Sequence, residues 1–162
     1  MEPRFKLTDA PGLYQAMVGL EKYLGSSGLE INLMHLLKLR VSQINGCAYC
    51  IDMHWKDLRA AGENEQRLYG LDAWRESPYY TARERAALAW AEAVTKITEG
   101  HVPDQVYEVA SREFPEKDLA NLTGVISTIN AWNRLAIAAR SEPGKYHPMG
   151  HATDKEKDKG TR

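Results

Sequence analysis

LRVSQINGCAYCIDMH, residues 39–54, holds both cysteines of the chain, Cys47 and Cys50, with His54 four residues after the second. The run joins two segments with helical periodicity. Upstream, about residues 29–44 place Leu33, Leu37, Val41 and Ile44 on one side and Ile31, His35 and Leu39 on another. A helix apolar on several faces belongs at the centre of a fold or at a subunit interface. Downstream, a helix starting at or near Cys47 runs to Gly62, a suitable C′ glycine.

Outward from this pair the period stays helical, with no sustained alternation of the strand type. Proline and glycine mark the breaks, at Pro11-Gly12, Gly25 to Gly28, Pro78, Gly100 to Pro103, Pro115 and Pro143-Gly144. A first helix is predicted from about Leu13 to Leu24 and a short one over about 64–71. Thr81 and Glu84 form a capping box that opens a helix reaching about Thr98, closed by Gly100. Pro103 opens the next helix, which ends near Phe114. The last spans about 116–140, with Leu122, Val125, Ile129, Trp132 and Ala136 as its buried stripe. The expectation is one all-α domain over 13–141, preceded by an N-terminal segment 1–12 and followed by a polar tail 142–162. The charged end of that tail, Lys155 to Arg162, is expected to be disordered.

The 162 residues are enough to bury a core, and 43% hydrophobic with 27% charged is ordinary for a globular domain. With 21 basic and 22 acidic residues, nothing points to nucleic acid or an anionic membrane as partner. No apolar run approaches a membrane span, and Met1 to Ala10 lacks a signal-peptide core. A cytoplasmic location is therefore expected, where thiols stay reduced.

Two cysteines three apart make a poor staple, because the loop they close is too short to constrain the unfolded chain. The pair points instead to redox chemistry or metal binding. On a helix, Cys47, Cys50 and His54 converge on one face. An imidazole one turn beyond Cys50 can take its proton, and a helix N-terminus favours the thiolate. This makes Cys50 the candidate nucleophile and Cys47 the resolving thiol that closes a disulfide on an oxidised Cys50. Such a cycle needs no metal or flavin. Three other readings stand beside it. The cysteines could be plain core residues. Cys47, Cys50, His54 and His35 could bind zinc. The pair could also serve a non-catalytic redox sensor or assembly module. His101, His147 and His151 read as surface or turn residues.

The run Leu39 to His54, with Ala73-Trp74-Arg75-Glu76, Arg83 to Trp90 and Ile129 to Leu135, resembles the AhpD-like alkyl hydroperoxidases of the carboxymuconolactone decarboxylase superfamily. The likeness covers roughly residues 15–140. It implies an AhpD-like helical bundle, a homo-oligomer (trimer or hexamer), and reduction of organic hydroperoxides or hydrogen peroxide. It also implies Cys50 as peroxidatic and Cys47 as resolving cysteine, with a dithiol reductant such as a lipoyl protein. One position departs from the pattern. The family relay has a glutamate twelve residues before the first cysteine, where this chain has His35. Neither Glu30 nor Asp52 has the spacing to replace it, and Tyr49 stands where the family often has a histidine between the cysteines. His35 joins Cys50, Cys47 and His54 as a candidate site residue.

Overall fold

A computed structural model describes residues 2–148. Among the described residues seven α-helices follow one another: α1 Pro11–Gly25, α2 Ile31–Asn45, α3 Ala48–Ala60, α4 Glu65–Tyr69, α5 Ala82–Thr95, α6 Asp104–Glu113 and α7 Glu116–Ala139. Short 3-10 turns lie at Leu7–Asp9 and Leu71–Ala73, and no strand occurs among the described residues. The all-α expectation holds. Residues 155–162 and His151 lie outside the described residues.

Local chemistry explains the boundaries. Pro11 is the first residue of α1, where its missing N–H costs nothing, so this helix starts two residues before the expected Leu13. The Thr81 side chain accepts from the Glu84 N–H, and the Glu84 carboxylate accepts from the Thr81 N–H, the reciprocal box expected at α5. That helix ends at Thr95, short of Thr98. The chain continues in turns to Gly100, whose φ of 110° closes the segment. Pro103 and Pro115 precede α6 and α7.

Helix α2 lies at the centre, packed against α3, α5 and α7. It buries Leu33, Met34, Leu36, Leu37, Leu39 and Val41, while Ile31, expected on an apolar face, is exposed. Helix α7 buries Leu122, Val125, Ile126 and Ile129. Trp132 is only half-buried, with its indole N–H donating to Glu21; the next residue, Asn133, is the one fully enclosed. Helices α1 and α7 approach closely at Gly124, where an added Cβ would lie 3.1 Å from Leu24. Glu92 of α5 is a polar tie, accepting from Arg40 of α2, Trp74 and Arg75. These contacts hold α2, which leads into the cysteine turn, against α5.

Candidate active site

The turn from α2 into α3 places the thiols. Gly46 caps α2 in the left-handed region, at φ 69°, which glycine adopts at no steric cost. Its N–H returns to Gln43 and the Cys47 N–H returns to Ser42. Cys47 is then the N-cap of α3, and Cys50 lies in the first turn. Both side chains are buried, with sulfurs 2.6 Å apart. A disulfide between them needs only side-chain adjustment.

The two sulfurs differ in charge preference. The Cys50 thiol, aided by the backbone N–H groups of Cys50 and Tyr49 and by Asn133, outweighs burial and brings Cys47 down to about 7. Cys50 is pushed up, first by that same hydrogen bond and then by burial and the Cys47 charge. A singly ionised pair thus keeps one proton between its sulfurs, with the charge resting on Cys47. Behind them runs a buried polar seam. Asn133 of α7 donates to Ser42 at 3.0 Å and accepts from Asn45 at 2.8 Å.

His54 and His35 form a second cluster. Their Nδ1 atoms are 3.3 Å apart. Asp57 Oδ2, three residues beyond His54 on α3, is 3.6 Å from His35 Nδ1 and 3.8 Å from His54 Nδ1. Tyr146, from the irregular segment after α7, donates to the other Asp57 oxygen at 2.6 Å. The segment is held to α3 by Lys56, which donates to the carbonyls of Gly144 and Tyr146, and by the Gly144 N–H on Asp52. Burial, with Lys38 and His35 nearby, holds His54 well below the usual imidazole range. Burial also lowers His35, against the pull of Asp57. His54 Nε2 is buried and has no hydrogen-bond partner.

The candidate residues therefore fall into two adjoining groups, Cys47 with Cys50 and His35 with His54. No hydrogen bond joins His54 to either sulfur among the described residues. The four-ligand zinc set is not assembled. The metal-ligating atoms that gather are those of His35, His54 and Asp57, because the His54 Nδ1 turns towards α2 rather than towards the thiols. Asp57 went unremarked in the sequence, although its three-residue spacing from His54 was visible. Tyr146 gave no local signal. His101, at φ 59°, and His147 are exposed.

The fold and the paired thiols define an all-helical protein with a C-x-x-C motif at a helix start. The chain belongs to the carboxymuconolactone decarboxylase family, whose profile matches residues 11–93. It is 43% identical to the uncharacterized protein YdfG of Bacillus subtilis over 129 residues, covering 80% of this chain and 88% of YdfG. A crystal structure of a protein of unknown function from Agrobacterium tumefaciens, described as a candidate antioxidant defence protein AhpD, superposes with a TM-score of 0.86. It is 44% identical, over 88% of this chain and 99% of that one. A shorter likeness, 44% over 45 residues, links the chain to the alkyl hydroperoxide reductase AhpD of Bradyrhizobium diazoefficiens, covering 28% of this chain and 25% of that protein. The fold is AhpD-like. No helix among the described residues is long and apolar enough to cross a membrane.

Proposed function

We propose that the chain is a thiol-dependent peroxidase reducing alkyl hydroperoxides or hydrogen peroxide through a Cys47–Cys50 disulfide cycle. The observation that carries the reading is the contact of two buried sulfurs, 2.6 Å apart, at the start of α3. His54 lies one turn beyond Cys50, with Nδ1 engaged by His35 and Nε2 unpartnered. Burial keeps that imidazole neutral, as a base must be. Asp57 supplies the carboxylate that the family relay draws from the position of His35.

In the cycle, the proton of Cys50 passes to His54 or to the Cys47 thiolate. The Cys50 thiolate attacks the peroxide oxygen and breaks the O–O bond. Alcohol or water leaves after taking up a proton, and Cys50 becomes a sulfenic acid. Cys47 displaces hydroxide from that sulfur as water and forms the disulfide. Two thiols and one hydroperoxide thus give a disulfide, an alcohol and water. An external dithiol, a lipoyl protein in keeping with the resemblance, returns the pair to thiols. One equivalent of an organic hydroperoxide should remove both free thiols of each chain and yield one alcohol. Unchanged thiol content would overturn the reading.

A second reading is supported by the burial of both sulfurs, each only 1% exposed. A non-catalytic redox sensor or assembly module would oxidise slowly, once per chain. We also infer a homo-oligomer, trimer or hexamer, in the cytoplasm. Leu13, Tyr14, Leu20 and Tyr23, exposed along α1, support assembly. Sedimentation as a monomer would contradict it.

A further inference from the structure

We propose that His35, His54 and Asp57 form a binding site for a divalent transition-metal ion of the zinc type. Three atoms carry the proposal: the Nδ1 of each histidine and Oδ2 of Asp57, separated by 3.3, 3.6 and 3.8 Å. A point equidistant from the corners of that triangle lies about 2.1 Å from each, the bond length of zinc to imidazole nitrogen and carboxylate oxygen. Tetrahedral ligands at that bond length stand about 3.4 Å apart, and octahedral ones about 3.0 Å. The spacings exclude octahedral packing: the equidistant point lies in the plane of the three atoms, and a fourth ligand reaches tetrahedral geometry when Asp57 draws in by a few tenths of an ångström.

The surroundings fit a three-ligand site. Tyr146 holds the other Asp57 oxygen, which turns Oδ2 towards the imidazoles. Such an outer contact orients a metal ligand. His35 and Asp57 side chains are 26% and 14% exposed, so solvent can reach a fourth position, whereas His54 is enclosed. The nearby Lys38 ammonium is paired with Glu21 at 2.5 Å, which leaves the Asp57 charge for the cation. Two imidazole nitrogens and a carboxylate oxygen cannot all turn lone pairs on one another. The cluster therefore holds either a proton or a cation. When the cation enters, an imidazole carrying its single proton on Nδ1 gives it up there and takes one on Nε2, so that each neutral ring offers a bare Nδ1 to the ion.

One consequence rests on the peroxidase reading. A cation on His54 Nδ1 fixes a proton on Nε2, so His54 cannot accept the proton of Cys50, and occupancy slows thiol oxidation. Binding itself does not depend on that reading.

The test is calorimetric titration of the chelator-treated full chain with zinc chloride, and optical titration with cobalt(II). One ion per chain is expected, with a raised melting temperature. The cobalt spectrum should lack thiolate charge transfer, and Cys47→Ser and Cys50→Ser should bind with unchanged stoichiometry. His35→Gln and Asp57→Asn should abolish binding and the zinc-dependent rise in melting temperature. Tyr146→Phe should weaken binding about 10-fold. Circular dichroism verifies that each variant is folded. Absence of stoichiometric binding, thiolate charge transfer lost in the cysteine variants, or unchanged binding in folded His35→Gln would overturn the proposal.

Discussion

His35 Nδ1 stands 3.3 Å from His54 Nδ1, so an imidazole from α2 meets the imidazole that lies one turn beyond Cys50 on α3. A carboxylate joins the two rings. Asp57 brings it from α3, one turn past His54, and Tyr146 steadies it.

The thiol pair should titrate early. Cys47 ionises at about 7, chiefly through the Cys50 hydrogen bond. Alkylation by iodoacetamide should therefore accelerate as pH rises through about 7. In Cys50→Ala the largest favourable contact is gone, and the midpoint should move upward. An unmoved midpoint in that variant would show that the backbone N–H groups alone set the value.

Acid should weaken the fold through His54. Its folded pKa is depressed below 6.5 by burial, so the unfolded chain binds the proton first. By linkage, stability is full above the unfolded pKa and declines as pH falls through about 6.5. Melting temperatures measured between about pH 7.5 and 5.5 should drop, and less steeply for His54→Gln. Equal slopes would contradict this assignment.

Asn133 should matter to both stability and chemistry. It is fully buried, and Asn133→Ala removes a hydrogen bond from each of Ser42 and Asn45, which keep only Lys38 and Asn130 as partners, and leaves a cavity. Loss of about 1–3 kcal/mol in urea unfolding is expected. Because Asn133 also favours the thiolate form of Cys47, the thiol midpoint should rise in the same variant. Stability within a few tenths of a kcal/mol of wild type would count against the seam.

Gly46→Ala tests the turn. Nothing lies within 4 Å of an added Cβ, so the cost is that of φ 69° alone, about 1 kcal/mol. Gly46→Asn should recover part of it, since asparagine tolerates that conformation. A larger loss in both variants would mean that the Cys47 N-cap geometry moves with the turn.

Much of this was legible because helical spacing is a local property. Cys47, Cys50 and His54 needed only their positions to place them on α3, and the Thr81–Glu84 box announced α5. What stayed hidden depends on tertiary packing. Trp132 reads as the buried member of the α7 stripe, yet Asn133 is the enclosed one, because its amide has partners on α2. Asp57 reads as one of two acids on α3 until His35 arrives from α2. Tyr146 reaches Asp57 from 89 residues away through irregular chain, and no periodicity announces such a contact.

The most direct measurement is steady-state consumption of an organic hydroperoxide with a dihydrolipoyl reductant, comparing wild type with Cys50→Ser and Cys47→Ser. The account predicts many turnovers per wild-type chain and none for Cys50→Ser. Cys47→Ser should stop after a single sulfenic acid has formed. Turnover that survives in Cys50→Ser, or a wild-type chain that oxidises once and stops, would contradict it.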